Sequence, residues 1–200
     1  EMKAGGADEE ALSLFRKAAA AGHAGAMNSI GLAYERGVGV SKDLGEAARW
    51  YQRSAEAGNG AAMHRLGLAF KKGEGVGKSS VEALRWFRKS ADAGFVPGMT
   101  DVGLAYLNGW GTPRDPKAAI EWLRKAADAG SPVAMNQLGR AFFLGLGVSP
   151  DPAEAVRWFR KAADAGNIMA MENLGAAYHN GVGVKRDEDE SRRWYAKARE

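Results

Sequence analysis

The sequence repeats with a period of 36 residues, and this repetition constrains the fold more than any other feature. Glycine, tryptophan and methionine each recur at that spacing without an insertion or a deletion. The recurring residues are Gly31, Gly67, Gly103, Gly139 and Gly175, then Trp50, Trp86, Trp122, Trp158 and Trp194, then Met27, Met63, Met99, Met135 and Met171. Because three residue types keep one register, each period is expected to be one structural unit that stacks on its neighbours.

Each period predicts two helices, which we call the first-type and the second-type helix. The first-type helix has apolar or small residues at i, i+3, i+4 and i+7, as one helix face requires. In the first full period these are Met27, Ile30, Gly31 and Tyr34. Gly37 and Gly39 follow, where the chain reverses and glycine allows positive φ. Asp43 and Glu46 then form a capping box that opens the second-type helix.

The glycine inside each first-type helix predicts a close contact between helices. Glycine at such a position costs about 1 kcal/mol relative to alanine. We therefore expect a neighbouring helix to approach Gly31 and its equivalents closely enough to compensate. In the third period Ala118 replaces the capping-box glutamate, but Asp115 and Pro116 still supply a cap and a proline at the first helical position.

The predicted fold is therefore an all-α solenoid of antiparallel helix pairs in a single domain, 1–200. A lone second-type helix at 8–22 precedes five repeats, at 23–58, 59–94, 95–130, 131–166 and 167–200. Neither helix of a pair can bury its tryptophan and methionine alone, so successive pairs must share one core.

The recurring pattern closely resembles the Sel1-like repeat, a relative of the tetratricopeptide repeat. In one period it runs Ala26-x-x-x-Ile30-Gly31-x-Ala33-Tyr34-x-x-Gly37-x-Gly39-Val40-x-x-Asp43-x-x-Glu46-Ala47-x-x-Trp50-Tyr51. The resemblance extends from about Asp8 to Arg199 and implies a right-handed superhelix that serves as an adaptor for protein complexes. A secreted, cysteine-rich branch of the family is associated with β-lactam-like ligands, and this sequence departs from it because it has no cysteine.

Composition and motifs argue against several other functions. Without cysteine there is no thiolate nucleophile and no zinc site that needs one. A net charge of +4 predicts no nucleic-acid partner. Serine-nucleophile, His-Glu-x-x-His and phosphate-loop signatures are absent, so we expect no enzyme, no cofactor and no metal. His64 and His179 are expected to face solvent, and the acidic run that starts at Asp187 is expected to cap the last helix.

The positions that vary between periods indicate a binding surface. A stripe beside the core face of each first-type helix is expected to line the concave groove. Trp110, in a loop, is the only tryptophan off the period, and it is interpreted either as an interface anchor or as a plug against its own helix pair. The predicted partner-binding residues are Thr100, Leu104, Leu107, Trp110, Asn136, Arg140 and Phe143. The leucines also fit packing between repeats.

The favoured function is a non-catalytic scaffold that binds a protein or peptide on this groove. One alternative is a binder or enzyme for small molecules such as cell-wall or β-lactam-like compounds. Another is a structural unit that associates end to end through Trp194 and Tyr195, which no following repeat covers. No apolar run is long enough to cross a membrane and no signal peptide is evident, so we expect a soluble chain, periplasmic or secreted if a signal has been removed.

Overall fold

The computed structural model describes residues 4–199, and this range contains eleven α-helices and no β-strand. The prediction of an all-α helical repeat is confirmed. The helices are α1 (Ala4–Ala20), α2 (Ala24–Arg36), α3 (Leu44–Glu56), α4 (Gly60–Lys72), α5 (Ser80–Asp92), α6 (Val96–Asn108), α7 (Pro116–Asp128), α8 (Pro132–Leu144), α9 (Pro152–Asp164), α10 (Ile168–Asn180) and α11 (Glu188–Lys197). Even-numbered helices are the first type, and odd-numbered helices are the second type.

Consecutive helices of a repeat are antiparallel, as hydrogen bonds at both ends of a pair show. Near the loop, the backbone N–H of Asp43 donates to the carbonyl oxygen of Tyr34 at 2.9 Å. At the far end, the Ser54 hydroxyl donates to the carbonyl oxygen of Ala24 at 2.6 Å. The start of α3 therefore lies beside the end of α2, and its end lies beside the start of α2.

The helix boundaries follow the predicted caps. The Asp43 carboxylate accepts a hydrogen bond from the backbone N–H of Glu46 at 3.0 Å. Asp115 accepts from the backbone N–H groups of Lys117 and Ala118 at 3.1 Å each, so the cap survives the lost glutamate. At the other end of the first-type helix, Gly37 has a φ of 73°, in the left-handed region that favours glycine.

The two helices of a repeat come into close contact at the interior glycines, as the unfavourable helix propensity of glycine led us to expect. A Cβ built on Gly139 would lie 2.5 Å from two ring atoms of Phe159, on the second-type helix of the same repeat. On Gly31 it would lie 2.6 Å from the ring of Tyr51. An aromatic ring thus occupies the space that a side chain would need, and the two helices pack closely at this point.

The residues group into two compact units, whereas the single domain and its repeat bounds stay predictions. The N-terminal unit extends to Gly98 and includes Trp110–Thr112, whereas the C-terminal unit consists of Met99–Gly109 and the residues from Pro113 onward. The N-terminal unit buries Ile30 and Leu66, and the C-terminal unit buries Leu123, Leu138 and Leu174. Each unit therefore has an apolar core built from both helix types.

The last tryptophan is buried, contrary to the expectation that it lies uncovered. Trp194 is only 8% exposed and packs in a cluster with Phe159 and Leu174. Its own repeat and the preceding one supply that cover. Tyr195 is 37% exposed, and a Cβ on Gly175 would lie 2.9 Å from its ring. Of the two aromatic residues considered for end-to-end association, Tyr195 is partly exposed and Trp194 is not.

A basic side chain lies over each periodic tryptophan, a contact that the spacing alone did not indicate. The ammonium of Lys161 is 4.4 Å from the ring centroid of Trp158, and that of Lys197 is 4.3 Å from the centroid of Trp194. Lys89, Lys125 and Arg53 make the same contact with Trp86, Trp122 and Trp50. The basic side chains are exposed, and a cation–π contact at an exposed site contributes about 0.5–1 kcal/mol.

Candidate partner-binding surface

Two hollows open between the first-type helices of the C-terminal unit. The α6–α8 hollow has a volume of about 140 Å³, and the α8–α10 hollow has a volume of about 240 Å³. Arg140, on the middle helix α8, lines both. The α6–α8 hollow is also lined by Leu104, Leu107, Asn108, Arg114, Gln137 and Leu146. Further walls of the α8–α10 hollow are formed by Phe143, Leu144, Phe159, Asn173, Asn180 and Val182.

Four of the residues predicted from the sequence line these hollows. Leu104 and Leu107 belong to the α6–α8 hollow, Phe143 belongs to the α8–α10 hollow, and Arg140 belongs to both. Phe143 is 45% exposed and the neighbouring Leu144 is 55% exposed, so two adjacent large apolar residues are open to solvent. Aromatic residues and arginine are enriched in protein interfaces relative to the rest of the surface.

Thr100 and Asn136 require a correction, because they are buried rather than on the open surface. Hydroxyl oxygens of Thr100 and Ser131 are 3.0 Å apart and hydrogen bonded. The side-chain oxygen of Asn136 accepts a hydrogen bond from the amide of Asn173 at 2.9 Å. The next repeat covers the first part of the predicted stripe. On α8, the side chains of the stripe are exposed to solvent only one helical turn later, at Arg140.

Trp110 belongs to the N-terminal unit and lines neither of the two hollows. Its indole is 41% exposed, and the ammonium of Lys71 lies 4.1 Å from the ring centroid. This cation–π contact covers one part of the indole and leaves the rest accessible. Lys71 lies in the last turn of helix α4 of the preceding repeat and is not part of the helix pair of Trp110, so the anchor and the plug both stay predictions.

Among the described residues, 4–199, no carboxylate pairs with the arginines of the two hollows. A guanidinium N–H of Arg140 donates to the side-chain oxygen of Gln137 at 3.3 Å, and Nε of Arg114 donates to the carbonyl oxygen of Leu107 at 3.0 Å. Neither forms an ion pair with any residue in 4–199, and no aspartate or glutamate from that range lines either hollow. The charge of this surface is therefore positive and uncompensated.

A smaller hollow in the N-terminal unit has compensated charges instead. It measures about 50 Å³ and is lined by Glu35, Tyr51 and Arg65 among others. A guanidinium nitrogen of Arg65 is 3.5 Å from a carboxylate oxygen of Glu35, to which the Tyr51 hydroxyl also donates. Burial raises the pKa of Tyr51, and the hydrogen bond to Glu35 raises it further. Glu35, Tyr51 and Arg65 in this smaller hollow therefore already pair with one another.

Sequence reasoning missed several residues of the α8–α10 hollow, notably Asn173, Asn180 and Val182. Asn173 lies one position after the stripe that was singled out, and Asn180 is the last residue of α10. The Asn180 amide donates to the carbonyl oxygen of Ala176 at 2.9 Å, so its own side-chain oxygen can still accept a hydrogen bond. A stripe shifted by one residue would have found Asn173.

The histidines are placed in unrelated environments. His179 is exposed, with its Nδ1 3.1 Å from a carboxylate oxygen of Glu188. His64 is half-buried between the rings of Phe87 and Phe95, at centroid distances of 5.6 and 5.5 Å, so the expectation that it faces solvent is wrong. Within residues 4–199, no three His, Cys, Asp or Glu side chains lie close enough together to hold a metal ion.

The recurring antiparallel helix pairs define a class of protein, the α-helical repeat proteins. More specifically, the chain belongs to the Sel1 repeat family. The family model matches residues 8–23, 24–59, 60–95, 96–131, 132–167 and 168–200. Proteins of this family are generally protein-interaction scaffolds and are typically non-catalytic. Among the helices of residues 4–199, none has the length and apolar character needed to span a bilayer.

Solved structures with the same fold come from several bacteria. A protective antigen from uropathogenic Escherichia coli strains, which displays an SLR fold, is 34% identical, with a TM-score of 0.88 over 94% of this chain and 40% of its own. A Sel1 repeat protein from Oxalobacter formigenes is also 34% identical, with a TM-score of 0.85 over 88% of this chain and 70% of its own.

More distant structures share the fold alone. An immunity protein from Pseudomonas aeruginosa is 19% identical, with a TM-score of 0.64 over 94% of this chain and 72% of its own. By contrast, this chain spans only 40% of the length of the Escherichia coli antigen. A search of curated proteins gives no significant match.

Proposed function

We propose that this chain is a non-catalytic scaffold that binds a peptide or protein segment on the surface formed by the two hollows of its C-terminal unit. The observation that carries the proposal is the exposure of Phe143 and Leu144 beside Arg140, at the rim of a 240 Å³ hollow. Family membership supports the general role, since Sel1 repeat proteins bind proteins.

The two hollows suit a segment of a larger partner. They are open and lie on either side of Arg140, so an extended ligand long enough to pass Arg140 would contact both. The larger, at about 240 Å³, is smaller than the roughly 300–1,000 Å³ of a typical small-molecule site. Their polar groups are side-chain amides and guanidinium groups, which hydrogen bond readily to a peptide backbone.

The alternatives have less support. A small-molecule enzyme would need convergent titratable groups in a deep site, and the lining of these hollows contains amides, arginines and apolar side chains. End-to-end association was expected from two exposed aromatic residues, but Trp194 is buried. We therefore retain peptide or protein binding as the proposed function.

Selection of peptides from a random display library on the immobilised chain would test the proposal. Peptides that bind the wild-type chain should bind the Phe143→Asp variant at least about tenfold more weakly, because a charge would replace a central apolar contact. Phe143 is half-exposed, so its replacement should leave the helical circular dichroism unchanged.

Val133→Asp supplies the matched control. Val133 lies on the same helix α8 and is also 45% exposed, but it lines neither hollow. An aspartate at its position, near the N-terminus of the helix, is electrostatically favourable. Equal loss of binding in the two variants, or no loss in either, would refute the proposed surface.

A further inference from the structure

Arg140 is the one charged side chain shared by the two hollows of the C-terminal unit. The α6–α8 hollow has a mixed lining, with the leucines Leu104, Leu107 and Leu146 beside the polar side chains of Asn108, Arg114 and Gln137. Phe143 and Val182 lie in the other hollow. A ligand that lies across both hollows must therefore place its middle part at the guanidinium.

Arg140 is a charge that the other periods do not carry at its position, where they have Leu32, Leu68, Leu104 and Ala176. Its guanidinium donates to the side-chain oxygen of Gln137 at 3.3 Å. No aspartate or glutamate among residues 4–199 lines either hollow. A carboxylate that pairs with Arg140 in these hollows would therefore come from the ligand.

We propose that the surface recognises an extended partner segment in which an aspartate or glutamate side chain is flanked on both sides by apolar residues. This inference rests on the proposed function. The carboxylate of the segment lies on Arg140, where a guanidinium can bind it through two parallel hydrogen bonds. One flanking apolar side chain enters the α6–α8 hollow, and the other packs against Phe143 in the α8–α10 hollow.

Because a hollow lies on each side of Arg140, the surface favours an acidic side chain within the ligand over a C-terminal carboxylate of the ligand. A C-terminal carboxylate on Arg140 would fill one hollow and leave the other empty. An acidic side chain within the segment allows both apolar walls to be covered. Because neighbouring packed helices are separated by about 10 Å, and each extended residue advances about 3.3 Å, the two apolar residues should lie about three positions apart.

A peptide array tests this directly. Each peptide carries two leucines about two to four positions apart, a spacing that covers the estimated distance. Glutamate, glutamine or lysine stands between the leucines, and a parallel set ends in a free C-terminal leucine without the internal acid. Binding is measured by fluorescence anisotropy with the wild-type chain, with Arg140→Gln, with Arg140→Glu and with Phe143→Asp.

Glutamate peptides should bind the wild-type chain about two- to fivefold more tightly than glutamine peptides, and this preference should vanish in Arg140→Gln. In Arg140→Glu the preference should invert toward lysine peptides. Arg140 is exposed, so these variants are expected to keep the wild-type circular dichroism spectrum.

The other outcomes separate the two proposals. Equal binding of glutamate and glutamine peptides, with binding still lost in Phe143→Asp, would overturn the acidic specificity but keep the proposed function. Tighter binding of the C-terminal set would also overturn it, in favour of a chain terminus. Absence of any Phe143-dependent binding across the array would count against both.

Discussion

Adding one methyl group at Gly139 tests whether close helix packing holds each repeat together. A Cβ at this position would lie 2.5 Å from two ring atoms of Phe159 and 3.1 Å from the carbonyl oxygen of Ala155. Phe159 is buried, so its ring has little room to move, and the carbonyl belongs to the backbone of helix α9. The helix pair must therefore separate to accept the group.

The expected magnitude follows from two opposing effects. Forcing an extra methyl group into a packed interior costs about 1–3 kcal/mol. Replacing glycine by alanine inside a helix contributes up to about 1 kcal/mol in the other direction. For Gly139→Ala we therefore expect the free energy of unfolding to fall by about 1–2 kcal/mol.

Urea unfolding followed by circular dichroism measures this change, and Gly25→Ala supplies the control. Gly25 lies on the first-type helix α2, and a Cβ built on it meets nothing within 4 Å. There the helix-propensity effect acts alone, so this variant should be as stable as the wild type or up to about 1 kcal/mol more stable. A higher or unchanged unfolding midpoint for Gly139→Ala would refute the packing argument.

Two further predictions concern polar groups of the C-terminal unit. Asn136→Ala should lower the free energy of unfolding in urea by about 1–3 kcal/mol, because it removes the buried hydrogen bond with Asn173; unchanged stability would contradict its structural role. The pKa of the exposed Glu188 carboxyl is lowered, first by hydrogen bonds from Arg186 and then by His179. Arg186→Ala should therefore raise the pKa of Glu188 toward the ordinary glutamate value in a carboxyl-detected NMR titration, and an unshifted titration would contradict this. Since the folded-state pKa is the lower one, the pair stabilises the fold above the ordinary glutamate range, and this contribution is lost as the pH falls through the lowered pKa.

Local signals in the sequence were sufficient for the repeat fold. The interior glycine at Gly139 implied a close neighbour, and the cap at Asp115 implied a helix start, since each residue type has a specific backbone or steric reason for its position. Such signals act within one or two turns of helix. The 36-residue period then extended each local prediction to the other repeats.

The binding surface was only partly predictable, because helical spacing does not determine how far a neighbour covers a helix. Arg140 and Asn136 lie one turn apart on the same stripe, yet Arg140 is exposed and Asn136 is buried against Asn173. From helical spacing alone, both residues were predicted to bind a partner on the groove. The cover of Trp194 by its own and the preceding repeat was equally hidden, because it depends on packing between repeats.

The second glycine of each loop touches the repeat before it, and this contact governs how such an array changes its length. A Cβ on Gly75 would overlap the carbonyl oxygen of Leu44, and one on Gly147 would overlap that of Pro116. The loop packs against the first residue of the previous second-type helix. Adding or deleting a residue within a repeat would therefore move the loop glycine away from this contact. Lengthening or shortening by recombination should therefore succeed only in whole modules, cut and joined at the same point of the period.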